Sequence, residues 1–156
     1  MPSYAIESKL LFNKDPFCVP VTIQDTSAAT AANYGVFFTA SFPCEVMAAS
    51  ESHKTAGSDG GAVTVNLEKL TTGQALDAGI TLLSTAFNLK GTASTPVHVP
   101  SSSYLFVVST ARELARGDRL ALKDVGTMTA VAQVNVTCFL KPLGKGHYGV
   151  ATTTLA

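Results

Sequence analysis

Tryptophan is absent from the sequence, tyrosine occurs four times, and cysteine and histidine three times each. Each scarcity excludes something. A β-fold that binds sugar ordinarily lays an aromatic ring on the apolar face of the ligand. Tyr4, Tyr34, Tyr104 and Tyr148 are few for that task, and two of them lie near the chain ends. Charge is scarce as well, at 14% of residues, against about 25% in an ordinary soluble domain. Eleven basic and eleven acidic residues cancel, which leaves no electrostatic footprint for nucleic acid or an anionic membrane surface. So little charge fits faces packed against other subunits, and it fits a plain Thr-rich β surface equally well.

No stretch of about 18 apolar residues is present, so no spanning helix is expected. The first residues, MPSYAIESKLLFNKDPF, lack an apolar core behind a basic start, and no secretory signal is expected. Cys18, Cys44 and Cys138 are odd in number and far apart, which suggests reduced thiols acting as small core residues.

Chemistry is correspondingly thin. His53, His98 and His147 form no H-x-x-x-H pair and lie near no cysteine, so surface positions are expected and a zinc site has no local support. No G-x-S-x-G elbow occurs, although a triad whose members meet only in space leaves no spacing to read. Gly57-Ser58-Asp59-Gly60-Gly61 lacks the lysine and the following helix of a phosphate loop, and reads as a hairpin turn. Gly144-Lys145-Gly146 is too short for one. Asp59, Glu68, Asp77 and Asp118 belong to no D-x-D-x-D loop and read as solvated turn carboxylates. The expectation is a protein that is not an enzyme and needs no metal or cofactor.

What the sequence does contain is period two. Val36, Phe38, Ala40 and Phe42 alternate with Thr39 and Ser41. Val63, Val65 and Leu67 alternate with Thr64, Asn66 and Glu68. Leu120 and Leu122 alternate with Arg119 and Lys123, and Ala132, Val134, Val136, Cys138 and Leu140 with Gln133, Asn135 and Thr137. Successive strand side chains point to opposite faces, so these segments predict strands with one face in a core and one toward water. Leu105-Phe106-Val107-Val108 is apolar on both faces and predicts a central strand. Shorter strands are predicted around 45–53, 80–83, 86–90 and 95–99. The 111–116 segment is too short for more than a turn of helix and reads as a loop entering the next strand. With glycines between them, eight or nine short strands predict an all-β antiparallel sandwich or barrel.

Three stretches follow from composition. Residues 1–33 carry Pro2, Pro16, Pro20 and the Ala/Thr-rich run 26–32, which favour extended backbone over helix. They read as an extended N-terminal arm and linker, or alternatively as an ordinary first edge strand. Residues 34–143 form the sandwich and 144–156 a C-terminal tail.

Two stretches then carry a resemblance: VFFTASFPCEVMAASESHKTAGSDGGAVTVNLEKLTTGQALDAGITLLSTAFNLKGTA and LARGDRLALKDVGTMTAVAQVNVTCFLKP. The chain from Gly35 to Leu143, about two-thirds of the whole, resembles the small jelly-roll-like decoration (cement) proteins of tailed bacteriophage capsids. There a "G-A-V-T" strand, a "GQALDAG" loop and a "GDRLAL…G" hairpin recur in this order. The resemblance implies a jelly-roll-like sandwich that binds the outside of the virion and staples neighbouring major capsid proteins, commonly as a homotrimer. It also implies a protein made in the host cytoplasm that holds neither nucleic acid nor membrane. An extended arm suits such a role, since a strand can add to a neighbour's sheet edge; Phe12, Phe17 and Val19 are its candidate capsid-contact side chains. The alternative is a receptor- or carbohydrate-binding sandwich of a head or tail fibre.

Overall fold

A computed structural model of the chain describes residues 16–25, 35–107, 109–126, 128 and 130–143. Among these residues ten strands follow one another: β1 (Phe17–Asp25), β2 (Val36–Thr39), β3 (Cys44–Thr55), β4 (Thr64–Leu70), β5 (Ile80–Thr81), β6 (Phe87–Asn88), β7 (Val97–Val99), β8 (Glu113–Leu114), β9 (Arg119–Val125) and β10 (Ala132–Pro142). They make two antiparallel sheets. The first has the order β1-β10-β3-β7, with β8 also on β3; the second has β2-β9-β4-β5, with β6 also on β4.

The order defines the class. β1 to β4 alternate between the sheets, and β9 and β10 return beside β2 and β1 in turn. A ribbon of paired segments wrapped over itself in this way is a jelly roll. Each sheet keeps two edges, and Pro20 sits in β1 at one of them, where a missing N–H is tolerated.

The core lies between the sheets. From β3 and β10 come Val46, Ala49, Val134, Val136, Cys138 and Leu140; from β4 and β9 come Val65, Leu67, Leu120 and Leu122. Each large aliphatic side chain buried here contributes about 1.5–3 kcal/mol. The alternation read for β10 holds, with Gln133, Asn135 and Phe139 on the exposed side.

Several expectations are corrected. Leu105–Val107 is no central strand: Phe106 makes a single bridge to Leu83, and Leu105 is 53% exposed. Its neighbours Ser101–Ser103 turn the chain, so the apolar run supplies side chains to the core rim rather than a ladder. The 111–116 segment holds the end of a 3-10 turn, Ser109–Arg112, and then β8, which the turn enters directly. The Gly57–Gly61 stretch is no hairpin, because β3 and β4 belong to different sheets; it crosses the end of the sandwich. The 45–53 stretch is the core of the 12-residue β3. Of the segment read as an arm, Phe17–Asp25 is a strand laid along β10, as the edge-strand alternative had it. The remainder of the arm and the 144–156 tail lie outside the described residues.

The outer side of β4 is not open to water. Asn66 and Glu68 are both buried, because the chain after β4 folds back over them. The Asn66 carboxamide accepts from the Leu83 N–H (3.1 Å) and donates to the Leu83 carbonyl (3.1 Å). It thereby replaces the ladder in the gap between β5 and β6. The Glu68 carboxylate accepts the N–H groups of Gly79 (2.7 Å) and Asp77 (3.0 Å), fixing the GQALDAG loop, and Lys123 pairs with Asp77 outside it.

Candidate functional site

Three places on the described residues hold polar chemistry or uncovered apolar surface. The first is a cleft of about 340 Å³ at one end of the sandwich, bordered by Pro43, Lys69, Glu113, Leu114, Asp118 and Leu143. Its polar groups already serve one another. The Lys69 ammonium donates to the Glu113 carbonyl and lies 3.6 Å from Asp118. The Asp118 carboxylate also accepts the Ala115 N–H at 2.9 Å. Asp118 is therefore a buried brace and not the solvated turn carboxylate expected from sequence; Glu68 is the second such correction. Among the described residues no histidine or cysteine lines the cleft.

The second place is the interior of the first sheet. Glu51 and His53, alternate residues of β3, are 1% and 2% exposed. In the sheet register they stand opposite Val136 and Val134, which are core residues. His53 Nδ1 lies 3.0 Å from Glu51 Oε1, and Nε2 lies 3.2 Å from the Gly91 carbonyl oxygen. Glu51 Oε2 is buried with no hydrogen-bond partner. Burial pushes the Glu51 carboxyl above the usual carboxylate range, against the lowering effect of the His53 bond and charge. His53 is therefore not the surface histidine expected. It meets a carboxylate, but inside a closed core where no substrate reaches. His98 is exposed on β7, and His147 lies outside the described residues. Among the described residues no three histidine, cysteine or acidic groups gather to hold a metal.

The third place is the outer face of the first sheet. Thr137 and Phe139 on β10, Ser50 and Ser52 on β3, and His98 on β7 share it by register. Cys18 on β1 stands opposite Phe139 and is exposed. The β3–β10 register slips beside Phe139, and the extra residue there, Met47, stands out at 38% exposure next to Phe139 at 37%. A bulge re-aims side chains in this way. Charged β3 and β10 residues on this face occur only toward its ends, at Glu45, Lys141 and Lys54.

The candidate contact residues fall as follows. Phe12 is outside the described residues. Phe17 opens β1 opposite Leu140. Val19 packs against the core of its own sandwich. Sequence reasoning missed the bulge, which has no composition signal, and missed the Glu51–His53 pair, whose i, i+2 spacing on a strand was the available clue.

The cysteines carry a direct prediction. Burial pushes the Cys138 thiol up to about 12, and burial followed by the Asp118 charge pushes Cys44 up to about 11. Neither forms thiolate near neutral pH. In the native protein iodoacetamide is expected to label Cys18 and to spare Cys44 and Cys138, with all three labelled in urea, as peptide mass spectrometry reads out.

The fold and these places define a jelly-roll sandwich with a charge-poor outer face. No protein-family model and no curated protein matches the chain. Among solved structures, a chain from Bacillus endospore appendages, described as forming a novel family of disulfide-linked pili, aligns with 82% of this chain and 88% of its own at 19% identity. The TM-score is 0.32, too low to carry an argument about fold or function.

Proposed function

We propose that this chain is a virion structural protein of the decoration type, which binds the outside of a phage capsid and stabilises the lattice of its major capsid protein. The observation that carries this reading is the outer face of the first sheet, where Phe139, Met47 and Cys18 stand exposed among small uncharged side chains. Burying such a face costs little polar desolvation, whereas burying an unpaired charge costs several kcal/mol. A protein that binds only the assembled lattice stabilises it by mass action.

Size supports a homotrimer in this role. Four strands at about 4.8 Å spacing make a face about 19 Å wide and, along the 12 residues of β3, at most about 40 Å long. The resulting area of at most about 760 Å² does not exceed the roughly 800 Å² per partner of a typical stable interface. Three linked copies raise the effective affinity without new contacts. Phe12 remains a contact side chain in this proposal, whereas Phe17, opposite the core residue Leu140, shares a strand face with Val19 by register. Val19, packed on its own core, contributes only through the backbone of β1. The role requires no catalysis, cofactor, nucleic acid or membrane.

Copy number tests the reading. Quantitative mass spectrometry of purified particles is expected to find this chain in numbers comparable to the capsid protein. A few copies per virion would rule the role out.

A further inference from the structure

We propose that the Glu51–His53 pair is a proton-dependent clasp that holds the 89–96 segment across the end of the sandwich. That segment joins β6 in the second sheet to β7 in the first. His53 grips it twice: its carbonyl accepts the Ser94 N–H at 2.7 Å, and its ring faces the Gly91 carbonyl at 3.2 Å.

The ring geometry sets the proton count. Both imidazole nitrogens face oxygen acceptors, Glu51 Oε1 and the Gly91 carbonyl. A neutral imidazole has one N–H and one lone pair, so it cannot donate to both. The two contacts are satisfied together when the pair holds one proton between Nδ1 and Oε1, while Nε2–H donates to Gly91. Imidazolium with carboxylate and imidazole with carboxylic acid are the two forms of that state, and both are neutral overall.

When that proton leaves to bulk water, one contact must fail. The bond from Nδ1–H to an ionised carboxylate is charge-assisted and roughly twice as strong as a neutral one. It is also the shorter of the two. The tautomer therefore settles on Nδ1–H, the Nε2 lone pair meets the Gly91 carbonyl, and the loop is released. The upward displacement of the Glu51 carboxyl agrees in sign. In the unfolded chain the two groups release their protons separately, at about 4.3 and about 6.5. The one-proton clasp therefore contributes its full stability between those values and loses it as pH rises from the upper one through the value of the folded pair.

Little else in the surroundings titrates. β10 presents Val134 and Val136, and β7 presents Val97 opposite Glu51. His98 on β7 is exposed and opposite Ser50. Lys90, within the clasped segment, turns its ammonium to the Asp59 and Gly61 carbonyls. Lys54, next to His53, is exposed. Among the described residues, His53 is the charged group that acts on Glu51.

Hydrogen exchange of the full chain tests the clasp. After correction for intrinsic rates, Ser94 amide protection is expected to fall about tenfold or more between about pH 6 and about pH 9, while β4 and β9 amides hold theirs. Glu51→Gln places an amide N–H against Nδ1 and keeps Nε2–H on Gly91, so its loop protection is expected to be the same at both values. Wild-type protection that does not change, or an E51Q loop that loosens in parallel, overturns the proposal. The His53 Nε2–H signal in NMR gives a reading without any variant. It is expected to disappear together with Ser94 protection, and its persistence while that protection falls overturns the proposal.

Discussion

Replacing Glu51 with alanine is expected to destabilise the sandwich by about 3–5 kcal/mol, the range found when one partner of a buried ionic pair is removed. His53 would keep its place in the core, with Nδ1 left facing the space that the Glu51 carboxylate filled. Replacing both residues with leucine is expected to recover most of that loss, because a buried pair and an apolar pair of similar volume are often close in stability. Urea unfolding of the two variants and the wild type at one pH checks this through the midpoint at constant slope. The recovery is the informative half. If the double variant were as unstable as the single, the pair would be contributing packing that leucines cannot replace.

The second large effect concerns Gly126, just past the end of β9. Its φ of +92° is in the region that side chains avoid. A Cβ built there would lie 1.7 Å from the Ala62 carbonyl oxygen and 2.8 Å from its carbon. Both obstacles are backbone, so no rotamer relieves them. Gly126→Ala must part the chain at Ala62 from β9, at the point where β4 and β9 begin to pair, Thr64 with Val125. A cost of about 3 kcal/mol or more is expected from strain and clash together. A denaturation midpoint within error of the wild type would show that the turn is held differently. Gly35, also at positive φ but with open space around it, serves as the control, and its alanine variant should lose about 1 kcal/mol from conformation alone.

These two sites mark where the sequence is legible and where it is not. Gly126 is legible as the end of a strand because its positive φ is a local feature, whereas the Ala62 backbone that leaves no room for a side chain there is not. The inward rows of β4, β9 and β10 read correctly for the same reason, since period two is written into consecutive residues. β3 is harder. Its apolar row is interrupted by Glu51 and His53 and shifted by the bulge at Met47, so the longest strand looks like a short one. Glu68 and Asn66 look solvent-facing because alternation describes one sheet, and nothing local says that the chain after Leu70 returns to cover the other side. Val107 and its neighbours form the opposite case, an apolar run that serves the core without pairing. The sandwich was legible from strands and turns, whereas the wrapped order of its strands came into the reading only through the family resemblance. The charge-poor composition is visible from the start, yet where the uncharged surface gathers depends on register, which only the paired strands define.

The account rests on that surface acting as the binding face. Thr137→Asp combined with Phe139→Asp places two charges on its central strand, on side chains that leave the core untouched. Cosedimentation of the purified variant with expanded capsids lacking the protein measures the consequence. Binding about 100-fold weaker than wild type, roughly 3 kcal/mol, with an unchanged unfolding midpoint, is the predicted result. Full binding by a folded variant would contradict the account.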